Sequence, residues 1–214
     1  MTRSVTSMDA NRVIDWLWRL AKVIEENKEE LTRLDAAVGD ADHGINMDRG
    51  FKKVVAKLPD LRGKEIGSIF RETALVLISS VGGASGPLYG TFFLKAAEHT
   101  AGKSEVTAAD LGEAMRKGLS GLAERGKAMR GQKTMIDALE PAIEAFEKAV
   151  QEGCGLRDAM RLAEASAEQG MKDTISMVAR KGRASYLGER SVGHQDPGAT
   201  SAFFLIRTLR EELD

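Results

Sequence analysis

The 214-residue chain has few of the residue types that mark common functional classes. It has one cysteine, Cys154, which excludes an internal disulfide framework and a cysteine-only metal site and suits a reducing compartment. Its three histidines, His43, His99 and His194, do not fall at metal-binding helix spacing. No apolar run approaches the ~20 residues of a membrane span, and no charged-then-apolar signal segment opens the sequence. The expectation is a cytoplasmic protein with no membrane partner. Thirty-one Lys and Arg against 32 Asp and Glu leave a net charge of -1, so no global field draws the chain to nucleic acid. Any anionic ligand must be held by local chemistry. Aromatic residues make up only 5%, yet 43% of the residues are hydrophobic and 29% charged, the balance of a globular chain with a sizeable core. The length suits one domain, 1–214. Proline is scarce at 4 while glycine reaches 22, so where the glycines stand matters.

The apolar pattern is helical almost throughout. Val13, Ile14, Leu17, Leu20, Val23 and Ile24 recur at helix spacing, as do Ile136, Leu139, Ile143, Phe146 and Val150. This periodicity predicts eight helices, at roughly 8–34, 44–58, 64–80, 86–101, 108–125, 135–152, 156–180 and 197–213, and no strand. Thr107 with Asp110, and Thr134 with Asp137, fit capping boxes. Pro141 lies inside the sixth helix, where a kink is expected. Ala159, Ala163, Ala167 and Gly170 form a small-residue stripe suited to close helix contact or to bordering a cavity. Short connections favour antiparallel neighbours, so the fold expected is all-α, an up-and-down barrel of eight helices.

Such a barrel has two rims, and their loops differ. Helices two, four, six and eight start at one rim, from VGDADHGIN, VGGASGP, RGKAMRGQKT and GRASYLGERSVGHQDPG; the other rim receives LPDLRGK, TAGKSEVT and EGCGLRD. The first set gathers glycine, carboxylates, His43 and His194, and this asymmetry locates a site. Helix N-termini offer free amides and a positive dipole end, and glycine lets backbone approach a phosphate. Ser85 is placed to cap its helix or touch phosphate. Asp35, Asp40 and Asp42 repel one another unless a cation or proton intervenes. Hard oxygen ligands suit Mg²⁺ or Ca²⁺. A calcium loop numbered from Asp40 fails, because Ile45 stands at its turn glycine and Phe51 at its bidentate glutamate. Bridging Mg²⁺ makes carboxylates compatible with a neighbouring phosphate, which reads as Mg²⁺-nucleotide. Gly121–Ala128 is not a P-loop, since Ala128 replaces the metal-binding hydroxyl and no strand precedes it. Gly83–Pro87 is not a nucleophile elbow, and no dinucleotide fingerprint sits between a strand and a helix.

Four segments in order, GDADHGINMDRGF, SSVGGASGPLYGTFF, GQKTMIDALEP and ARKGRASYLGERSVGHQDPGATS, resemble the nucleotide-binding L subunit of dihydroxyacetone kinase from about Asp9 to Arg210. The resemblance implies an eight-helix barrel with ADP or ATP at one rim. It implies that Asp35, Asp40 and Asp42 hold a pair of Mg²⁺ ions, and that His43, Gly44, Ile45, Asn46, Ala84 and Ser85 meet the nucleotide. Gly126, Met135, Arg183, Asp196, Pro197 and Gly198 are implied as further contacts. A separate substrate-binding subunit is implied to hold a short ketose covalently on its own histidine, with phosphoryl supplied by exchangeable ATP or by a phosphohistidine carrier of the sugar phosphotransferase system. Alternatives are a same-build kinase for a four-carbon ketose or another carrier-bound substrate, and a non-catalytic nucleotide-sensing adaptor. The basic insertion at Arg130 and Gly131, and the residues before Asp9, fall outside the pattern.

Overall fold

The computed structural model describes residues 6–214; residues 1–5, part of the stretch before Asp9, lie outside them. The α-helices are α1 Ala10–Glu26, α2 Lys28–Val38, α3 His43–Lys57, α4 Ile66–Ser80, α5 Ser85–His99, α6 Ala108–Gly126, α7 Ile136–Gln151, α8 Leu156–Asp173 and α9 Pro197–Glu212. Helix α1 packs on α3, each of α3 to α8 packs on its successor, and α9 returns to α1. Eight helices thus close a ring, as the periodicity predicts, while α2 stands outside it against α3 and α9.

Both apolar stripes enter one core: Ile14, Leu17 and Leu20 from α1 are fully buried together with Leu139, Ile143 and Phe146 from α7. The scarce aromatics are concentrated here. Trp16 meets Phe70 edge-on at 6.1 Å between centroids, and Phe93 lies 5.7 Å from both Phe70 and Phe92. Each such ring buries roughly 150–250 Å². Trp16 Nε1 donates to Thr208 Oγ1 at 3.1 Å, which satisfies its buried N–H. The small-residue stripe of α8 is buried against α7. A Cβ on Gly170 would stand 2.0 Å from the carbonyl oxygen of Asp137, the acceptor that Pro141 leaves without its helical donor. Close packing is therefore the role of this stripe.

Three local expectations need correction. The helix expected at 8–34 is two: at Asn27 the backbone leaves helical geometry (φ -106°, ψ 13°), with Asn27 Nδ2 donating to Val23 O at 2.8 Å. Among the described residues there are two strands, β1 Ser7–Asp9 and β2 Glu105–Thr107, paired antiparallel with Met8 opposite Val106. At three residues each they are too short to show alternation in sequence; they tie together the starts of α1 and α6, whose caps are Asp9 and Thr107. The helix expected at 156–180 ends at Asp173, followed by a single 3-10 turn over Thr174–Ser176. The Thr107–Asp110 capping box is complete. In the second, Asp137 accepts from Thr134 N at 2.7 Å, but the Thr134 hydroxyl accepts from Ile136 N at 3.2 Å, so the reciprocal bond is displaced by one residue.

Candidate functional site

The starts of α3, α5, α7 and α9 open on one cavity of about 480 Å³, whose lining includes His43, Ser85, Ile136 and Pro197. This volume lies within the range of small-molecule sites, roughly 300–1,000 Å³. The four helix ends direct their dipoles and free amides at a common space. On one side stand the carboxylates. The end of α2 supplies Asp35, and the turn to α3 supplies Asp40 and Asp42, with one oxygen of each lying within 4.8 Å of the others. Asp35 is anchored, its Oδ2 accepting from the backbone N–H groups of Asp42 at 2.8 Å and His43 at 3.1 Å. Ala41, between the other two, holds a left-handed backbone at φ 60°, a strained conformation for a residue with a Cβ that its surroundings must fix. Arg183 Nε lies 3.0 Å from Asp40 Oδ2. Three converging carboxylates offer the oxygen donor set of a hard divalent cation, and the guanidinium pairs with Asp40 alone, so the residues fit Mg²⁺.

Beneath the cavity runs a buried polar chain. His43 is 7% exposed; its Nδ1 lies 3.1 Å from Ser85 Oγ and its Nε2 2.9 Å from Ser201 Oγ. Tyr89 Oη lies 2.7 Å from Ser201 Oγ. Burial lowers the His43 pKa to about 4, against the pull of Asp35, so the ring is neutral near pH 7 and offers one donor and one acceptor. That fixes Ser85, at the first turn of α5, through a relay reaching α9. Asp196 caps α9, its Oδ2 accepting from Ala199 N at 2.7 Å. Burial pushes its pKa up to about 7, with the Ala199 amide and Lys133 acting in the opposite direction.

Nine of the twelve nucleotide-contact expectations line this cavity: His43, Ala84, Ser85, Gly126, Met135, Arg183, Asp196, Pro197 and Gly198, alongside Asp35, Asp40 and Asp42. Gly44, Ile45 and Asn46 do not. They follow His43 on α3, where 100° per residue turns successive side chains to different faces. A Cβ on Gly44 would stand 2.0 Å from Lys28 O, so Gly44 serves the α2–α3 contact. Ile45 is 52% exposed outside the cavity, and Asn46 Oδ1 accepts from Arg49 Nη2 at 2.6 Å. Arg130 pairs with Glu144 at 3.4 Å, and the Gly131 N–H is taken up by Asp137, so that insertion also stays off the cavity wall. Missing from the sequence reading were Arg125 and Lys181, which add cationic lining, and Lys133, which lies buried at its edge. The available signal was that Arg125 and Lys133 stand in the RGKAMRGQKT loop and Lys181 directly precedes GRASYLGERSVGHQDPG.

Residues 37–211 match the DAK2 domain family. The chain is 47% identical over 203 residues to the Escherichia coli K12 "PEP-dependent dihydroxyacetone kinase, ADP-binding subunit DhaL", covering 95% of this chain and 97% of that one. It is 40% identical to the "PTS-dependent dihydroxyacetone kinase, ADP-binding subunit DhaL" of Lactococcus lactis, covering 92% and 95%. Its fold matches the crystal structure of "the dihydroxyacetone kinase from C. freundii in complex with AMP-PNP and Mg2+" with a TM-score of 0.72 at 23% identity, over 99% of this chain and 36% of that one. The chain therefore belongs to the DAK2-domain family of dihydroxyacetone kinase ADP-binding subunits, kinase-type phosphotransferase subunits.

Proposed function

We propose that the chain binds ADP or ATP with Mg²⁺ in this cavity and transfers the γ-phosphoryl group to a short-chain ketose presented by a separate substrate-binding subunit. The observation that carries the reading is the meeting of three carboxylates within 4.8 Å with four helix N-termini around one cavity. Carboxylates alone would repel a polyphosphate; amide-rich helix ends alone would not need them. Together they suit a nucleotide and a divalent cation. Asp35, Asp40 and Asp42 would hold a pair of Mg²⁺ ions, which when bound would neutralise phosphate charge.

The chain's own residues then position. Phosphoryl transfer depends mainly on alignment and on charge stabilisation of the moving group. Ser85 and the α5 amides approach phosphate oxygens from one side, held by the neutral His43 relay. Arg183, Arg125 and Lys181 bring positive charge, while Met135, Leu88 and Leu122 give the base an apolar wall, all from the cavity lining. No side chain of the lining is assigned as a base, because the ketose is proposed to be held covalently by the partner subunit, which brings the acceptor oxygen. Phosphoryl supply is proposed to run through a phosphohistidine carrier of the sugar phosphotransferase system, with ADP recharged in place. The names of relatives aligned over nearly their whole length support that route. In a reconstituted complex with a dihydroxyacetone-binding subunit, Asp40→Asn should abolish triose phosphorylation while the circular dichroism spectrum stays helical; full activity in that variant would overturn the reading.

A further inference from the structure

Residues 174–196 leave the end of α8 and come back to the start of α9 as a loop with a closed neck. Gly193 N donates to Ile175 O at 2.7 Å, and Asp196 N donates to Thr174 Oγ1 at 3.0 Å. Lys133 reaches the same neck from the α6–α7 connection. Its Nζ donates to both Thr174 O and His194 O, one carbonyl from each side. The residue is 1% exposed and sits at φ 61°, a conformation that a long side chain keeps only where its surroundings impose it. A neighbouring tie, Arg180 N to Gln132 O at 3.1 Å, joins the same two segments. Beyond the neck the loop rests on a small apolar cluster of Val38, Ala179 and Ala184, with Leu187 packed beside it, separate from the main core. It presents Lys181, Gly182, Arg183 and Ala184 to the cavity, with Arg183 on Asp40.

We propose that Lys133 is a positioning residue: by pinning the neck of the 174–196 loop it holds Arg183 over the cavity and sets how fast nucleotide leaves. This rests on the nucleotide reading of the cavity. Two of the three ammonium donors are spent on backbone carbonyls, so the group is used for holding the loop. Charge-assisted bonds to carbonyls are strong, and removing the donor strands two acceptors in a buried place. Inside the loop Ser191 Oγ accepts from Ala179 N at 2.8 Å and donates to Gly188 O at 2.6 Å, and the apolar cluster beneath it is small; Lys133 is the side chain that joins both sides of the neck to the α6–α7 connection.

The full-length protein with Lys133→Met, and with Lys133→Gln, tests this by two readouts. Hydrogen exchange without nucleotide should accelerate for residues 177–193 in Lys133→Met while α4, α5 and α6 keep their protection. Release of a fluorescent ADP analogue in the presence of Mg²⁺ should quicken about tenfold, the equivalent of losing one strong hydrogen bond. Added to Arg183→Ala, Lys133→Met should change release little further, because both act through one contact. Lys133→Gln, whose amide still donates, should fall between and supplies the folded variant if Met does not fold. Unchanged exchange at 177–193, or a full additive effect on top of Arg183→Ala, overturns the proposal. If the wild-type protein does not bind the ADP analogue, the cavity reading fails, while the exchange result still decides the role of Lys133 at the neck.

Discussion

Replacing Asp42 by Asn should stabilise the metal-free protein and at the same time remove its stabilisation by Mg²⁺ and ADP. Asp35, Asp40 and Asp42 have oxygens within 4.8 Å of one another. At that separation two unit charges repel by about 0.9 kcal/mol in bulk water and about 3.5 kcal/mol at an effective dielectric of 20. Asp42 is half-buried and Arg183 offsets part of the charge on Asp40, so the lower end applies: relief of about 1–2 kcal/mol on losing one charge. For a chain of this length that is a rise of about 2–8 °C in Tm. Asn keeps the volume, and the backbone N–H of residue 42 still donates to Asp35. With Mg²⁺ and ADP at a hundredfold excess over Kd, the wild type gains about 2.7 kcal/mol, whereas the variant gains far less. The order of Tm values should therefore invert between EDTA and Mg²⁺-ADP, read by differential scanning fluorimetry at low salt. A metal-free Tm that falls, or a full Mg²⁺-ADP shift in the variant, would refute the reasoning.

Ala41→Gly should raise the metal-free stability by up to about 1 kcal/mol by relieving the left-handed backbone at φ 60°, yet weaken Mg²⁺ affinity through a looser turn; isothermal titration checks the second part. His43 and Asp196 should give opposite pH slopes in denaturant titrations of the metal-free protein. The His43 pKa falls from 6.5 to about 4 on folding, so the unfolded chain binds more protons and stability rises with pH between those values. The Asp196 pKa rises from 3.8 to about 7, so the folded chain binds more protons and stability falls with pH across that window. Relative to the wild type, His43→Gln should therefore become less stable, and Asp196→Asn more stable, as pH climbs from 4 to 6.5; matching slopes for both variants would show that burial does not govern these groups.

What could be read from the sequence was what local physics decides. The α1 and α7 stripes repeat every three to four residues, and the Thr107–Asp110 cap lies within one turn, so both were legible. The richer rim was legible because alternating helix direction follows from loop length alone. The break at Asn27 was not: apolar spacing runs on through Leu31, and the bond from Asn27 Nδ2 to Val23 O is open to any helical asparagine. The resemblance joins Gly44, Ile45 and Asn46 to His43 as one segment, whereas the helix turns their side chains to other faces than that of His43. The burial of Lys133 needs carbonyls 41 and 61 residues away, which no local pattern contains.

The break at Asn27 and the burial of Lys133 share a feature of the architecture. The ring of eight helices is specified locally and acts as scaffold, whereas the site is completed by two pieces outside the ring. Helix α2 supplies Asp35, and the 174–196 loop supplies Arg183. They meet over the rim through Val38 against Ala179 and Ala184, and the turn that follows α2 adds Asp40 with Arg183. The break at Asn27 frees α2 from the ring, and Lys133 ties the loop down. A substitution in the ring should therefore act first on stability, by opening cavities in a closely packed interior. One at Asn27, Val38 or Ala184 should act first on the ligand, because the apolar cluster joining the two pieces is small and separate from the main core. Near-neutral net charge is consistent with this division: the proposed anion site would draw on helix ends, local cations and a carboxylate cluster that calls for metal, with no need of a charged surface.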